Sequence, residues 1–356
     1  MHWSRFVGIF LVFSVFSLVN CQCDSGELFV VRFPTNPIMN NTRMCMTYDN
    51  DININFPTVI KTPIWLKNRL YPIIGRGPEY LKYFSDHHGK EIFVSYTDDL
   101  RGPWVVHAPG TLKLSQVLDA FNASSVNDTK SEIASADIYL DHANKTVRMY
   151  FHRRVPNDNY AIVSSIAYSK DGINFDNIDT RNIGSAYIRH FVHDGYIYLT
   201  DRVGKLWRSR DGVNNLEPGT TTIGDAFTNN SMVNGDGYTG LLRHLGLIKS
   251  GDYLYIYGTR IGDSPERILR TKMKLTNDWT TWNAEYPAKE GFRPETDYEG
   301  ANLPNIPSKK GSANQPVNQL RDPFPFYDMG RCYMFYTVAG ESGIAGARLP
   351  KCWENK

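Results

Sequence analysis

The segment RDPFPFYDMGRCYMFYTVAG, residues 321–340, decides how the chain is read. It has a polar start, a short aromatic strand, a turn at Met329-Gly330 and a second strand rich in Tyr and Phe, the pattern of a β-hairpin. Five copies of this pattern occur; the others are EYLKYFSDHHGKEIFVSYT from Glu79, ADIYLDHANKTVRMYFH from Ala136, AYIRHFVHDGYIYLTDR from Ala186 and RHLGLIKSGDYLYIYGTR from Arg243. They lie roughly 50–60 residues apart, with a gap of roughly 80 before the last, which is the period of a four-stranded propeller blade. Each copy is expected to supply the inner two strands of a blade. Segments such as AIVSSIAYSKDGINFD (161–176) and RILRTKMKLTNDWTTW (267–282) would supply the outer two. With no long helical periodicity after the first residues, the class is all-β and the expected architecture a five-bladed β-propeller over residues 22–356. A β-sandwich also has short, regularly spaced strands, but a five-fold repeat does not fit it.

Residues 1–21 read as a signal peptide: a basic start at Arg5, then an apolar run from Phe6 to Val19 that is too short to span a bilayer. Secretion to an extracellular location follows, without membrane insertion. Cleavage after Cys21 leaves Cys23, Cys45, Cys332 and Cys352. An oxidising compartment and the absence of C-x-x-C favour disulfides over metal ligation, with Cys332–Cys352 and Cys23–Cys45 expected and unpaired thiols the alternative. Sequons at Asn40, Asn122, Asn127, Asn144 and Asn229 agree with glycosylation on the secretory route. Lys+Arg 39 against Asp+Glu 37 gives no field for a polyanion, so nucleic acid is not an expected partner. The 21 Tyr, 18 Phe and 7 Trp are a supply of rings on which sugars stack, although most such rings fill core.

The first strands of propeller blades surround one channel, so their starting residues converge. Those starts are Glu79, Asp137, Arg189 with Tyr187, His244 with Arg243, and Asp322 with Arg321. Loops leaving the second strands return to the same face; they carry Asp98 and Asp99, Arg153 and Arg154, Asp201 and Arg202, Arg260 with Glu266 and Arg267, and Glu341. A funnel with several carboxylates suits glycoside hydrolysis, where one carboxyl protonates the leaving oxygen and a second activates water or attacks the anomeric carbon. For any single Asp the plainer reading is a turn cap. The arginines at 153, 189, 260 and 321 either pair with these carboxylates or clamp a carboxylated sugar. His244 has no partner histidine at useful spacing, so neither metal nor cofactor is expected. No G-x-S-x-G elbow precedes a helix, which disfavours a serine hydrolase. The long insertion at residues 291–319 lacks strand pattern and is expected to lie over one face.

The stretches LRDPFPFYDMGRCYMFYTVAGESGIAGARL, SEIASADIYLDHANKTVRMYFH and GTRIGDSPERIL resemble the five-bladed propellers of glycoside hydrolase family 43 and its relatives, a likeness over nearly the whole mature chain. The resemblance implies three acids around a central pocket: a first-blade base or nucleophile, a second Asp that orients or tunes, and a Glu acid. By position Glu79 takes the first place and Asp137 the second. Arg321-Asp322-Pro323 looks like the stabilising-Asp motif of the related sucrose- and fructan-cleaving propellers, and Glu266 and Glu341 both stand as the acid. The expectation is a secreted glycosidase acting through Glu79, Asp137, Asp322 and Glu341, with Tyr187, Arg189, His244, Arg260, Glu266 and Arg321 contacting a carbohydrate substrate. Two rivals are a lectin-like propeller and a polysaccharide lyase using Tyr187 or His244 as base.

Overall fold

The computed structural model describes residues 30–40, 53–123 and 129–350. Two short strands, β1 (Val31–Arg32) and β2 (Met39–Asn40), come first. The first blade follows: β3 (Asn55–Lys61), helix α1 (Ile64–Ile74), β4 (Tyr80–Ser85), β5 (Glu91–Thr97), β6 (Val105–Val106) and β7 (Leu112–Lys113), then helix α2 (Leu114–Ala120). Blade 2 comprises β8 (Glu132–Asp141), β9 (Thr146–Arg154), β10 (Val163–Ser169) and β11 (Asn177–Asp179). Blade 3 comprises β12 (Arg189–His193), β13 (Tyr196–Thr200), β14 (Lys205–Ser209) and β15 (Glu217–Thr222). Blade 4 comprises β16 (Leu242–Ser250), β17 (Tyr253–Arg260), β18 (Ile268–Lys274) and β19 (Lys289–Phe292). Blade 5 comprises β20 (Arg321–Asp328), β21 (Arg331–Val338) and β22 (Gly343–Leu349). Both β1 and β2 pair antiparallel with β22, so the start of the described chain completes the last blade and closes the ring.

The five sheets form a five-bladed β-propeller whose innermost strands are β3, β8, β12, β16 and β20, each packed on the next around one axis. Alternating burial would leave one face of each sheet wet; here both faces are covered, and β4 is buried along its whole length. Each pair of neighbouring blades encloses its own apolar cluster. Leu81, Tyr83 and Val94 meet Met149 and Phe151 between blades 1 and 2, for example, while Phe84 and Phe93 meet Phe335 and Ile344 between blades 5 and 1. Polar ties recur between blades too. Tyr83 donates to the Gly172 carbonyl and Tyr150 to that of Gly212. Gly172 and Gly212 sit at φ 75° and 71° in S-x-D-G turns, and a Cβ on Gly212 would lie 2.6 Å from the Tyr150 hydroxyl oxygen.

One strand assignment from the sequence needs correction. The four later repeats are the inner strand pairs of their blades, but the copy from Glu79 forms β4 and β5, the second and third strands of blade 1. The innermost strand there is β3, whose Pro57 and whose exit into α1 instead of a tight turn remove the hairpin signal. Residues 1–29, holding the expected signal peptide and Cys23, lie outside the described residues, as do Cys45, Asn127 and Cys352. Cys332 is buried in β21. Asn122 and Asn144 are exposed, and Asn40 and Asn229 half-buried. Among the described residues no helix is long and apolar enough to cross a membrane.

Candidate functional site

At the end of the axis where the innermost strands begin, four blades share a backbone irregularity. The register slips between Asn55 and Thr58 in β3, Ala134 and Asp137 in β8, Leu242 and Leu245 in β16, and Arg321 and Phe324 in β20. Within these bulges Phe56, Ser135 and Asp322 adopt φ of 54°, 57° and 48°, and Tyr187, just before β12, adopts 63°. Bulges re-aim side chains, and non-glycine residues held at positive φ gather at functional sites. Asn55-Phe56-Pro57 and Arg321-Asp322-Pro323 are the same local device in blades 1 and 5.

The side chains so aimed form a packed plug. The Phe56 ring lies 5.3 Å from that of Tyr187 and 5.0 Å from that of His244; Tyr187 lies 4.5 Å from His244 and 4.8 Å from His152. Burial, and then the neighbouring His87, His244 and Arg154, push His152 down to about 3. Burial raises the Tyr187 phenol well above its usual value, with the Asp322 carboxylate adding to the effect.

Beside the plug, blades 4 and 5 supply a network of charge. Arg243 Nε donates to Glu266 Oε1 (2.7 Å), and Arg321 bridges Glu266 (3.5 Å) and Glu341 (2.7 Å). Glu341 also accepts from Asn53 Nδ2 (2.6 Å) and the Ala313 N–H (3.2 Å), and its Oε2 lies 3.0 Å from His87 Nδ1. Burial would raise the Glu341 carboxyl, but His87, Arg321 and Asn53 outweigh it and hold it well below the carboxylate range. Reciprocally, burial lowers the His87 imidazole while the Glu341 carboxylate more than reverses this, so His87 titrates above its ordinary value. Asp322 is paired with His244, accepts from Thr337 Oγ1 (3.1 Å) and stays below its ordinary value although burial opposes this; His244 is itself lowered by burial. Both shifts favour a neutral imidazole beside an ionised carboxylate.

Of the expected site residues, Asp322, Glu341, Glu266, Arg321, His244 and Tyr187 meet at this mouth. Arg189 is buried behind Tyr187 and donates to the backbone carbonyls of Ala136 and Ile188. Asp137 sits one step further along the axis, accepting from the His190 N–H (3.0 Å) and lying 2.5 Å from its Nδ1. Arg260 pairs with Asp263 (2.7 Å), and Arg153 is buried against Asp158 and Ser165. Glu79 is not at this mouth: it is ion-paired with Lys67 and lines a cavity of ≈ 770 Å³ at the opposite end of the axis, where β3 ends. Asp98 and Asp99 share that displacement, pairing with Arg76 and Arg101. The cause is the strand missed in blade 1. In the place that Glu79 was expected to fill stand two amides, Asn53 and Asn55, with Asn55 Nδ2 2.8 Å from Asn53 Oδ1 and 2.7 Å from His87 Nδ1. Matching N-F-P to R-D-P was the signal that would have found them; nothing in the sequence marked His87.

The insertion before β20 crosses this mouth as expected. The Lys309 carbonyl accepts from Arg243 (2.5 Å), and that of Gly311 accepts from both Arg243 (3.3 Å) and Arg321 (3.0 Å). Among the described residues no group of three or more His, Cys, Asp or Glu is arranged to hold a metal ion.

No protein-family profile matches the chain. Among solved structures it is similar to an N-acetylgalactosamine deacetylase from F. plautii in complex with blood group B trisaccharide, at 11% identity and TM-score 0.52, covering 85% of this chain and 92% of that one. It is also similar to the β-xylosidase RS223, at 11% identity and TM-score 0.51, covering 85% of this chain and 93% of the other. The likeness is one of fold, and the five-bladed propeller implied by the sequence resemblance is the fold observed.

Proposed function

We propose that the protein is a secreted, glycoside hydrolase-like protein that acts on an O-glycosidic bond of a carbohydrate held at the mouth where the innermost strands begin. The observation that carries this reading is the convergence there of Asp322, Glu266 and Glu341 with His87. In this reading Asp322, kept ionised beside His244, offsets positive charge developing at the anomeric centre. His87, which Glu341 holds above its ordinary value against the opposing effect of burial and whose side chain is 29% exposed, is the group able to hand a proton to the leaving oxygen. Both structural relatives named above are described by their action on sugars, which is consistent with a carbohydrate ligand but does not carry the reaction over.

One observation favours binding without turnover as the second reading. The Asp322, Glu266 and Glu341 side chains are 0–1% exposed and each already faces a cation or imidazole, while Asn53 and Asn55 of blade 1 bring amides where a carboxylate was expected. A screen of aryl-glycosides and of plant and algal oligosaccharides, run with the parent and with Asp322→Asn, separates the two. Release of reducing sugar by the parent alone supports hydrolysis. Sugar binding with no turnover on any substrate supports the second reading, and neither binding nor turnover defeats both.

A further inference from the structure

At the mouth the arginines are almost all spoken for: Arg243 by Glu266, Arg321 by Glu266 and Glu341, Arg260 by Asp263, Arg154 by Glu132. Two cations on its rim depart from this pattern. The Lys310 ammonium lies 3.6 Å from the centre of the Tyr238 ring and the Arg202 guanidinium 5.4 Å from it, with no ion pair to either cation among the described residues. Three separate segments build this cluster: Arg202 from the turn after β13, Tyr238 from the loop before β16, and Lys310 from the insertion before β20. Its position is fixed relative to the charge network. Arg202 N–H donates to the carbonyl of Ala186, the residue before Tyr187, and Lys310 stands between Lys309 and Gly311, whose carbonyls hold Arg243 and Arg321.

Two like charges gathered over one ring repel each other, and the ring's negative face only partly offsets that repulsion. The nearby carboxylate, Asp236, is occupied within its own loop by the N–H groups of Tyr238 and Thr239 and by the Thr239 hydroxyl. Arg202 and Tyr238 are half-buried and Lys310 is exposed, so a ligand reaches the cluster from solvent. An anion bound by the two cations would relieve their repulsion.

We infer that Arg202 and Lys310, both set against the Tyr238 ring, form a subsite for an anionic sugar residue, one bearing a carboxylate or a sulfate. This rests on the reading that the mouth takes a carbohydrate, and it narrows that reading to acidic glycans. The test is calorimetric titration of the mature protein with three oligosaccharides of matched length: an oligogalacturonate, a sulfated galactan fragment and a neutral galactan fragment. Each is measured at low and high salt, and again with Arg202→Gln/Lys310→Gln. The expected result is tighter binding of one acidic ligand, weakening with salt, and a loss of about ten-fold or more in the double variant, the size of one or two charge-assisted contacts, with neutral-ligand affinity unchanged. Whether carboxylate or sulfate wins identifies the source of the charge. Neutral and acidic ligands bound equally by the parent, without salt dependence, would overturn the subsite and leave the carbohydrate reading standing. No binding by any of the three would overturn the subsite too, and the wider oligosaccharide screen then decides the carbohydrate reading. The salt series uses the parent alone, so the result does not depend on the variant folding.

Discussion

The two halves of the mouth use one backbone device for opposite chemistry. In blade 5 the strained position after Arg321 carries Asp322, and around it Glu266, Glu341, Arg243 and Arg321 form a sealed network of opposite charges. In blades 1 and 3 the equivalent strained positions carry Phe56 and Tyr187, and the neighbours are Asn53, Asn55 and His152, all neutral. Both halves are buried, so desolvation acts on both; what differs is how it is answered. Charges on one side are cancelled by partners; on the other amides, rings and a deprotonated imidazole predominate, and the buried Arg189 donates to backbone carbonyls. His87 joins the halves, standing on the neutral side with its Nδ1 on the carboxylate of Glu341.

That contrast is open to attack at four points. Asp322→Asn keeps the shape of blade 5 and removes its charge, and it is expected to lower turnover by about three orders of magnitude on any substrate the parent cleaves, with the melting temperature little changed. Equal turnover would put the chemistry elsewhere. Glu266→Gln takes the carboxylate from Arg243 and leaves Arg321 with Glu341 alone, and should cost about 3–5 kcal/mol in denaturant unfolding. Asn55→Ala, on the neutral side, strips hydrogen bonds only and should cost about 1–3 kcal/mol; a larger loss there than at Glu266 would reverse the comparison.

The third point is the link between the halves, and here the sign follows from the two shifts. His87 is raised above its ordinary 6.5, so its contribution is fully present below that value and lost as pH rises through the folded one. Glu341 is depressed below its ordinary 4.5, so its contribution is present above that value and lost as pH falls through the folded one. The pair therefore stabilises most between 4.5 and 6.5. Unfolding of the parent and of His87→Gln across pH should differ by about 1 kcal/mol in that window and converge at alkaline pH. A difference independent of pH would show that the pair does not titrate. Last and smallest, Glu79→Gln at the far end of the axis breaks a partly exposed ion pair and should change stability by less than about 0.5 kcal/mol and leave turnover untouched. A large loss of turnover there would return Glu79 to the chemistry.

The repeat was legible because each hairpin brings its own turn and its own aromatic strand, signals local in sequence. What was not legible was non-local. The strand β3 ends in a helix and not in a hairpin, so in blade 1 the hairpin pattern begins one strand late and points to Glu79, which lies at the opposite end of the axis. The closure of blade 5 by β1 joins Val31 to Arg348, a pairing no window of sequence contains. Asp322 and Glu341 were legible from the blade-start pattern and the face of the loop, whereas the pairing of each carboxylate with a particular arginine, and the role of His87 on Glu341, depend on contacts between blades. The amides of Asn53 and Asn55 were readable in principle, since N-F-P repeats the spacing of R-D-P, but only once a missing first strand is sought.

The most direct test of the account is a crystal structure of Asp322→Asn with an oligosaccharide identified by the substrate screen. The account predicts a sugar ring at the mouth of the innermost strands, within hydrogen-bond reach of Asn53 or His87 and over the Asp322 position. A sugar seated instead in the cavity at the opposite end, against Lys67 and Glu79, with none at the mouth, would contradict it.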